Sequence, residues 1–120
     1  MVGKRTPAQE RRIAQIREFI KVVEHVKKLT AELDSSRAAK AQIIENLSNA
    51  IARDLSQLRQ RAMTANVGTV ADTAGALAVL ASRGGNLSTK IRGLTEGTGS
   101  LMIQLDQSLK QALIPEKQGS

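Results

Sequence analysis

The spacing of the apolar residues constrains the fold of this chain more than any other feature of its sequence. Large apolar side chains recur at steps of three and four between residues 13 and 33, and a second series runs from residue 44 to 62. Such steps place each series on one face of an α-helix. No segment alternates β-branched and polar residues between hairpin turns. We therefore predict an all-α fold, a helical bundle of about four helices.

The first 65 residues are expected to form a long, basic helical hairpin. Thr6 can cap the first helix, Pro7 suits its first position, and Gln9 can close a capping box. The segment 34–36, Asp-Ser-Ser, offers cap residues for a turn between two helices. Because this segment contains neither Gly nor Pro, the alternative is one continuous helix that runs through it.

A change of composition near residue 65 separates this hairpin from a Gly- and Ala-rich helical pair at 66–114. Residues 1–65 hold 13 of the 18 Lys and Arg and only one Gly. Residues 66–120 hold the other five Lys and Arg and eight Gly. A third helix is predicted from about residue 66–69 to Ser82, with Thr69 and Asp72 at capping-box spacing. Its apolar residues lie almost all round, so we expect it to be buried.

The fourth segment, 86–114, keeps a heptad-like apolar spacing that ends before Pro115. Three glycines between residues 93 and 99 are expected to weaken it, which leaves open whether it forms one helix or two. A chain of this length can bury one core, so residues 1–114 are predicted to form a single domain. Residues 115–120 are expected to be a disordered tail.

The residues of catalytic and metal chemistry are scarce in this chain. It has no Cys and a single histidine, His25, which falls on the polar side of the first helix. No Ser lies in a nucleophile elbow, and no paired carboxylates share an apolar face. We therefore predict no enzyme activity, no cofactor, no metal and no small-molecule substrate.

No apolar run of the sequence is long enough to span a bilayer, and residues 1–12 lack the apolar core of a signal peptide. We accordingly expect a cytoplasmic protein. We expect no membrane partner, because the first apolar stripe has a use in the bundle and lacks interfacial Trp.

The length difference between the hairpin and the third helix predicts self-association. A monomeric bundle would leave part of the long apolar stripes uncovered, at a cost of roughly 1.5 to 3 kcal/mol for each large side chain. A second copy would cover them, so a strong homo-oligomer is expected. The candidate self-association residues are Ile13, Ile16, Leu55 and Leu58.

The net charge of +7, with a pI of about 10.4, favours an anionic partner, either a protein or a nucleic acid. Cations cluster most closely at the start of the first helix, where they oppose the helix dipole. A partner's negative charge could offset them there; the alternative is an unstructured basic leader that only aids solubility. The candidate polyanion-binding residues are Lys4, Arg5, Arg11 and Arg12.

Residues 77–96 have the approximate spacing of a helix-turn-helix, with Gly85 in the turn and Ile91 and Leu94 after it. Asn86 stands where an apolar residue usually anchors the two helices, so a plain turn between bundle helices is the alternative. In a DNA-binding arrangement the second helix would face the major groove. The candidate base-reading residues are Ser88, Thr89, Lys90 and Arg92.

These observations favour a non-catalytic helical interaction protein, a self-associating scaffold or adaptor whose composition is similar to that of coiled-coil scaffolds. The alternative function is a nucleic-acid-binding accessory protein that contacts phosphates through its basic N-terminal half, with or without the helix-turn-helix. A lack of exposed aromatic rings argues against stacking on single-stranded bases, because the chain has no Trp or Tyr and one Phe.

Overall fold

The computed structural model describes residues 5–114 and confirms the all-α prediction. The predicted tail at 115–120 lies outside the described residues. Four helices follow one another, with no strand in the described part of the chain: α1 (Pro7–Ser35), α2 (Ala41–Thr64), α3 (Gly68–Ser82) and α4 (Leu87–Leu113). The hairpin prediction is therefore correct, since α1 ends before α2 begins. The fourth segment is one continuous helix through its glycines.

The helices form an antiparallel ring. α1 packs against α2 and α4, α3 packs against α2 and α4, and the diagonal pairs make no close backbone contact. Gln9 at the start of α1 reaches the end of α4, and Arg37 beyond the end of α1 reaches Ser88 at the start of α4. Short connections impose this arrangement on neighbouring helices. The bundle measures 21 and 18 Å along its two shorter axes.

The core lies along the axis of the ring and draws on all four helices. Most of the predicted stripe of α1 is buried, with Ile20 and Leu29 partly buried, and Phe19 and Ile16 are among its largest enclosed side chains. The stripe of α2 is buried from Ser48 onward, whereas Ile44 and Leu47 are only partly covered. This difference has a physical cause: α3 is the shortest helix and ends at Ser82, so it does not reach the first turns of α2.

Helix ends were predicted with mixed success. Thr6 caps α1 as expected, because its Oγ1 accepts from the backbone N–H of Gln9 at 3.1 Å. Neither predicted capping box forms. The Gln9 side chain donates to α4 instead, and α3 begins after Val67 without a side-chain cap. The segment 34–36 does not cap α2 either, since α2 begins after Lys40 without a side-chain cap. Asp34 accepts from Arg37 instead.

The connection between α2 and α3 is a tight Schellman turn. Asn66 takes a positive φ of 61°, a conformation that asparagine tolerates better than most residues. The N–H of Val67 donates to the carbonyl of Ala62 at 2.8 Å, and the N–H of Asn66 donates to Met63 at 3.1 Å. Three residues therefore suffice to reverse the chain, which holds α3 directly against the second half of α2.

Candidate functional site

The predicted N-terminal polyanion site is only partly available. Lys4 lies outside the described residues, and Arg5 and Arg11 are exposed. Arg12 is half-buried, and its Nη1 donates to the carbonyl oxygen of Ala65, at the C-terminal end of α2. That carbonyl has no partner within its own helix, so Arg12 completes the end of α2. Arg12 is therefore already engaged by the fold, and polyanion binding by this group of residues stays a prediction.

The neighbouring helices also change the electrostatic surroundings of the cations at the start of α1. The start of α1 lies beside the C-terminal ends of α2 and α4, whose carbonyls carry partial negative charge. Nε2 of Gln9 donates to the carbonyls of Ala112 at 2.9 Å and Ile114 at 3.0 Å. The fold itself thus supplies negative charge to the cations of α1, and an external partner is not needed to offset them.

The segment predicted as a helix-turn-helix is an antiparallel hairpin. A Cβ added to Gly93 would meet Leu80, and one added to Gly97 would meet Leu77. Further along, Nε2 of Gln104 donates to Oγ1 of Thr73 at 3.1 Å. The helices therefore lie side by side, whereas those of a helix-turn-helix cross at about 90–120°. This geometry agrees with the alternative given for the segment, a plain turn between bundle helices, because small residues let α4 lie along α3.

The candidate base-reading residues lie on the first turns of α4, in different surroundings. Oγ of Ser88 accepts from Nη1 of Arg37 at 2.6 Å, so it is engaged with the α1–α2 connection. Thr89 and Arg92 are exposed, and Lys90 is half-buried. The backbone N–H of Thr89 donates to Oδ1 of Asn86, which caps α4. Sequence reasoning treated these residues apart from the cations of the first half of the chain.

The structure brings cations from both halves together at one end of the bundle. The α1–α2 and α3–α4 connections share this end, as the contact between Arg37 and Ser88 demonstrates. We call this group the loop-end cluster; its members are Arg37, Lys40, Arg83, Lys90 and Arg92. The sequence does not indicate this cluster, because its members are up to 55 positions apart. It becomes visible only when the two connections are known to lie at the same end of the bundle.

The candidate self-association residues do not lie on the surface. Ile13, Ile16, Leu55 and Leu58 are each at most 3% exposed and belong to the interior of a single chain. The premise that a monomer leaves them bare is wrong, because α4 packs along α1 and α3 packs against the second half of α2, where Leu55 and Leu58 lie. Contact with a second copy must therefore use other residues.

The side of the bundle formed by α2 and α3 carries a groove and two exposed apolar side chains. Val79 of α3 is 48% exposed and lines a groove between α2 and α3. Met63 is 53% exposed and follows Ser56 by seven residues, which places it on the same side of α2. We call this surface the α2–α3 face; its members are Asn49, Ala52, Arg53, Ser56, Met63, Val79 and Ser82.

Several titratable groups line a groove between α1 and α2. Nδ1 of His25 is 3.0 Å from Oδ2 of Asp54, with Glu18 and Arg61 lining the same groove. The His25 side chain is mostly exposed, in agreement with its predicted place on the polar side. The pair can form an ion pair when His25 is protonated, which contributes little at an exposed position. Among the described residues no group of three metal-ligating side chains comes together.

Comparisons with family models, curated proteins and solved structures found no match to this chain. Among the described helices, none is long and apolar enough to cross a membrane.

Proposed function

We propose that this chain is a non-catalytic helical interaction protein that self-associates through the α2–α3 face. The observation that carries the proposal is the exposure of Val79 and Met63 on one side of the bundle, next to small side chains. Apolar side chains grouped on a surface mark contact sites more often than scattered ones do. Ala52 and Ser56 would let a helix of a second copy approach closely, and Met63 can adapt to an irregular partner surface.

The magnitudes favour reversible association over an obligate oligomer. Burying the exposed half of Val79 or Met63 contributes about 1 kcal/mol, because complete burial of such a side chain is worth about 1.5 to 3 kcal/mol. A two-fold interface uses each residue twice, which gives about 4 kcal/mol. Association costs at least about 4 kcal/mol, so the remaining contacts of the face must supply the net affinity. The fold of each copy does not depend on the partner, since the core is already enclosed.

Catalysis has no part in the proposal, because the only histidine lies on the surface with a single carboxylate partner. The scaffold role instead uses the outer faces of the helices.

The test compares two Glu substitutions at exposed apolar positions. Val79→Glu puts a charge into the α2–α3 face, whereas Ile103→Glu puts one on the outer side of α4, where the wild-type side chain is 62% exposed. Sedimentation equilibrium should give a multiple of 12.9 kDa for the wild type and for Ile103→Glu at hundreds of micromolar. For Val79→Glu it should give the monomer mass with unchanged helicity, since an unpaired charge is costly at an apolar contact.

Two results would overturn the proposal: a strictly monomeric wild type at that concentration, or equal dissociation of the two variants. Equal dissociation would mean that added negative charge, not the α2–α3 face, controls association.

A further inference from the structure

The positive charge of this chain is concentrated outside its helices. The helices are nearly balanced in charge. α1 carries six cationic and five acidic residues, α2 and α4 each carry three cationic and two acidic residues, and α3 carries one acidic residue. The connections 36–40 and 83–86 contain Arg37, Lys40 and Arg83 and no acid. Both connections lie at the same end of the bundle. The excess of positive charge, which is spread along the sequence, is therefore concentrated at that end of the fold.

The cations of the loop-end cluster differ in how far the fold already uses them. Arg37 donates from Nε to Asp34 at 2.7 Å and from Nη1 to Ser88 at 2.6 Å, so it holds the two connections together. Within the described residues, the other four members of the cluster form no ion pair. Arg37 is thus a positioning residue, and these four cations are left to meet an external anion.

We propose that the loop-end cluster binds the phosphate backbone of a nucleic-acid duplex without reading its sequence. This inference goes beyond the proposed self-association, because it uses a different surface. The end of the bundle is about 20 Å wide. A duplex presents about 12 phosphates over that distance, at one charge per 1.7 Å of axis. An extended acidic peptide presents about six carboxylates at most, given about 3.3–3.6 Å per residue. The duplex is therefore the stronger electrostatic partner.

The surrounding side chains fit backbone binding and not base recognition. Oγ of Ser88 is occupied by Arg37, and Oδ1 of Asn86 is occupied by the N–H of Thr89. The only aromatic residue, Phe19, is buried in the core, so it cannot stack on an unpaired base. A preference for duplex over single strand, with no preference among duplex sequences, follows from these two facts.

The experiment is a fluorescence anisotropy titration of a labelled duplex at 50, 100 and 200 mM salt. Four phosphate contacts predict a slope of about −3.6 for the logarithm of affinity against the logarithm of salt, and a loss of about 150-fold from 50 to 200 mM. The triple variant Lys40→Gln, Arg83→Gln, Lys90→Gln should lose most of the affinity at 50 mM and most of the slope. Circular dichroism checks that each variant keeps its helicity.

Two matched triples remove the same charge elsewhere. The first replaces Lys21, Lys27 and Lys28 of α1 with Gln, and the second replaces Lys4, Arg5 and Arg11 with Gln. Both should keep at least half of the wild-type affinity at 50 mM salt.

Four outcomes would overturn the inference. The wild type has no affinity for the duplex at 50 mM salt; all three triples weaken binding equally; the N-terminal triple weakens it more than the loop-end triple; or polyglutamate competes as well as unlabelled duplex at equal charge. The last outcome would assign the cluster to an acidic protein partner.

Discussion

Gly97 and Gly93 illustrate how the same residue supports different conclusions in sequence and in structure. In the sequence they interrupt a helix, and each Gly costs about 1 kcal/mol relative to Ala in a helix interior. In the fold α4 is continuous, and the glycines face Leu77 and Leu80 of α3. The absence of a side chain is therefore what lets α3 and α4 pack side by side.

This explanation predicts opposite effects at two glycines two positions apart. A Cβ on Gly97 would overlap three atoms of the Leu77 side chain, which is itself in the core, so Gly97→Ala should destabilise the fold by about 1 to 3 kcal/mol. A Cβ on Gly99 meets nothing within 4 Å, so Gly99→Ala should stabilise it by about 0.5 to 1 kcal/mol. Urea unfolding measures both. Stabilisation by both substitutions would show that Gly97 is only a weak point of the helix.

At the scale of the elements, the first two turns of α1 contact the ends of two other helices. Gln9 donates to the last carbonyls of α4, and Arg12 donates to the end of α2. Sequence reasoning assigned Gln9 to a capping box and Arg12 to a polyanion site, since only the local chain was in view. The tertiary partners of both residues are more than 50 positions away, and no local pattern predicts them.

Neighbouring arginines test this role of α1. Arg12→Gln should lower the free energy of unfolding by about 1 kcal/mol, because the carbonyl of Ala65 loses its side-chain donor. Arg11→Gln changes the same charge at an exposed position and should stay within about 0.5 kcal/mol of the wild type. Chemical denaturation at one salt concentration gives both values. Equal effects of the two substitutions would contradict the assigned role of Arg12.

At the scale of the whole molecule, the buried stripes of α1, α2 and α4 could be predicted from apolar spacing. Ile16, Leu55 and Leu101 occupy core positions that the spacing assigned to them. Spacing does not tell whether a stripe is covered by the same chain or by a second copy, and this is why self-association was assigned to residues of the enclosed core. It also does not tell which connections share an end, so the loop-end cluster and the α2–α3 face required the fold.

The central claim is that each copy closes its own core and meets other copies through the α2–α3 face. The most direct measurement is an isotope-filtered NOE experiment on an equal mixture of ¹³C-labelled and unlabelled protein. We expect intermolecular NOEs to the methyl groups of Val79 and Met63, and none to Ile16 or Leu58. Intermolecular NOEs to Ile16 or Leu58 would show that copies share one core, and would contradict the account.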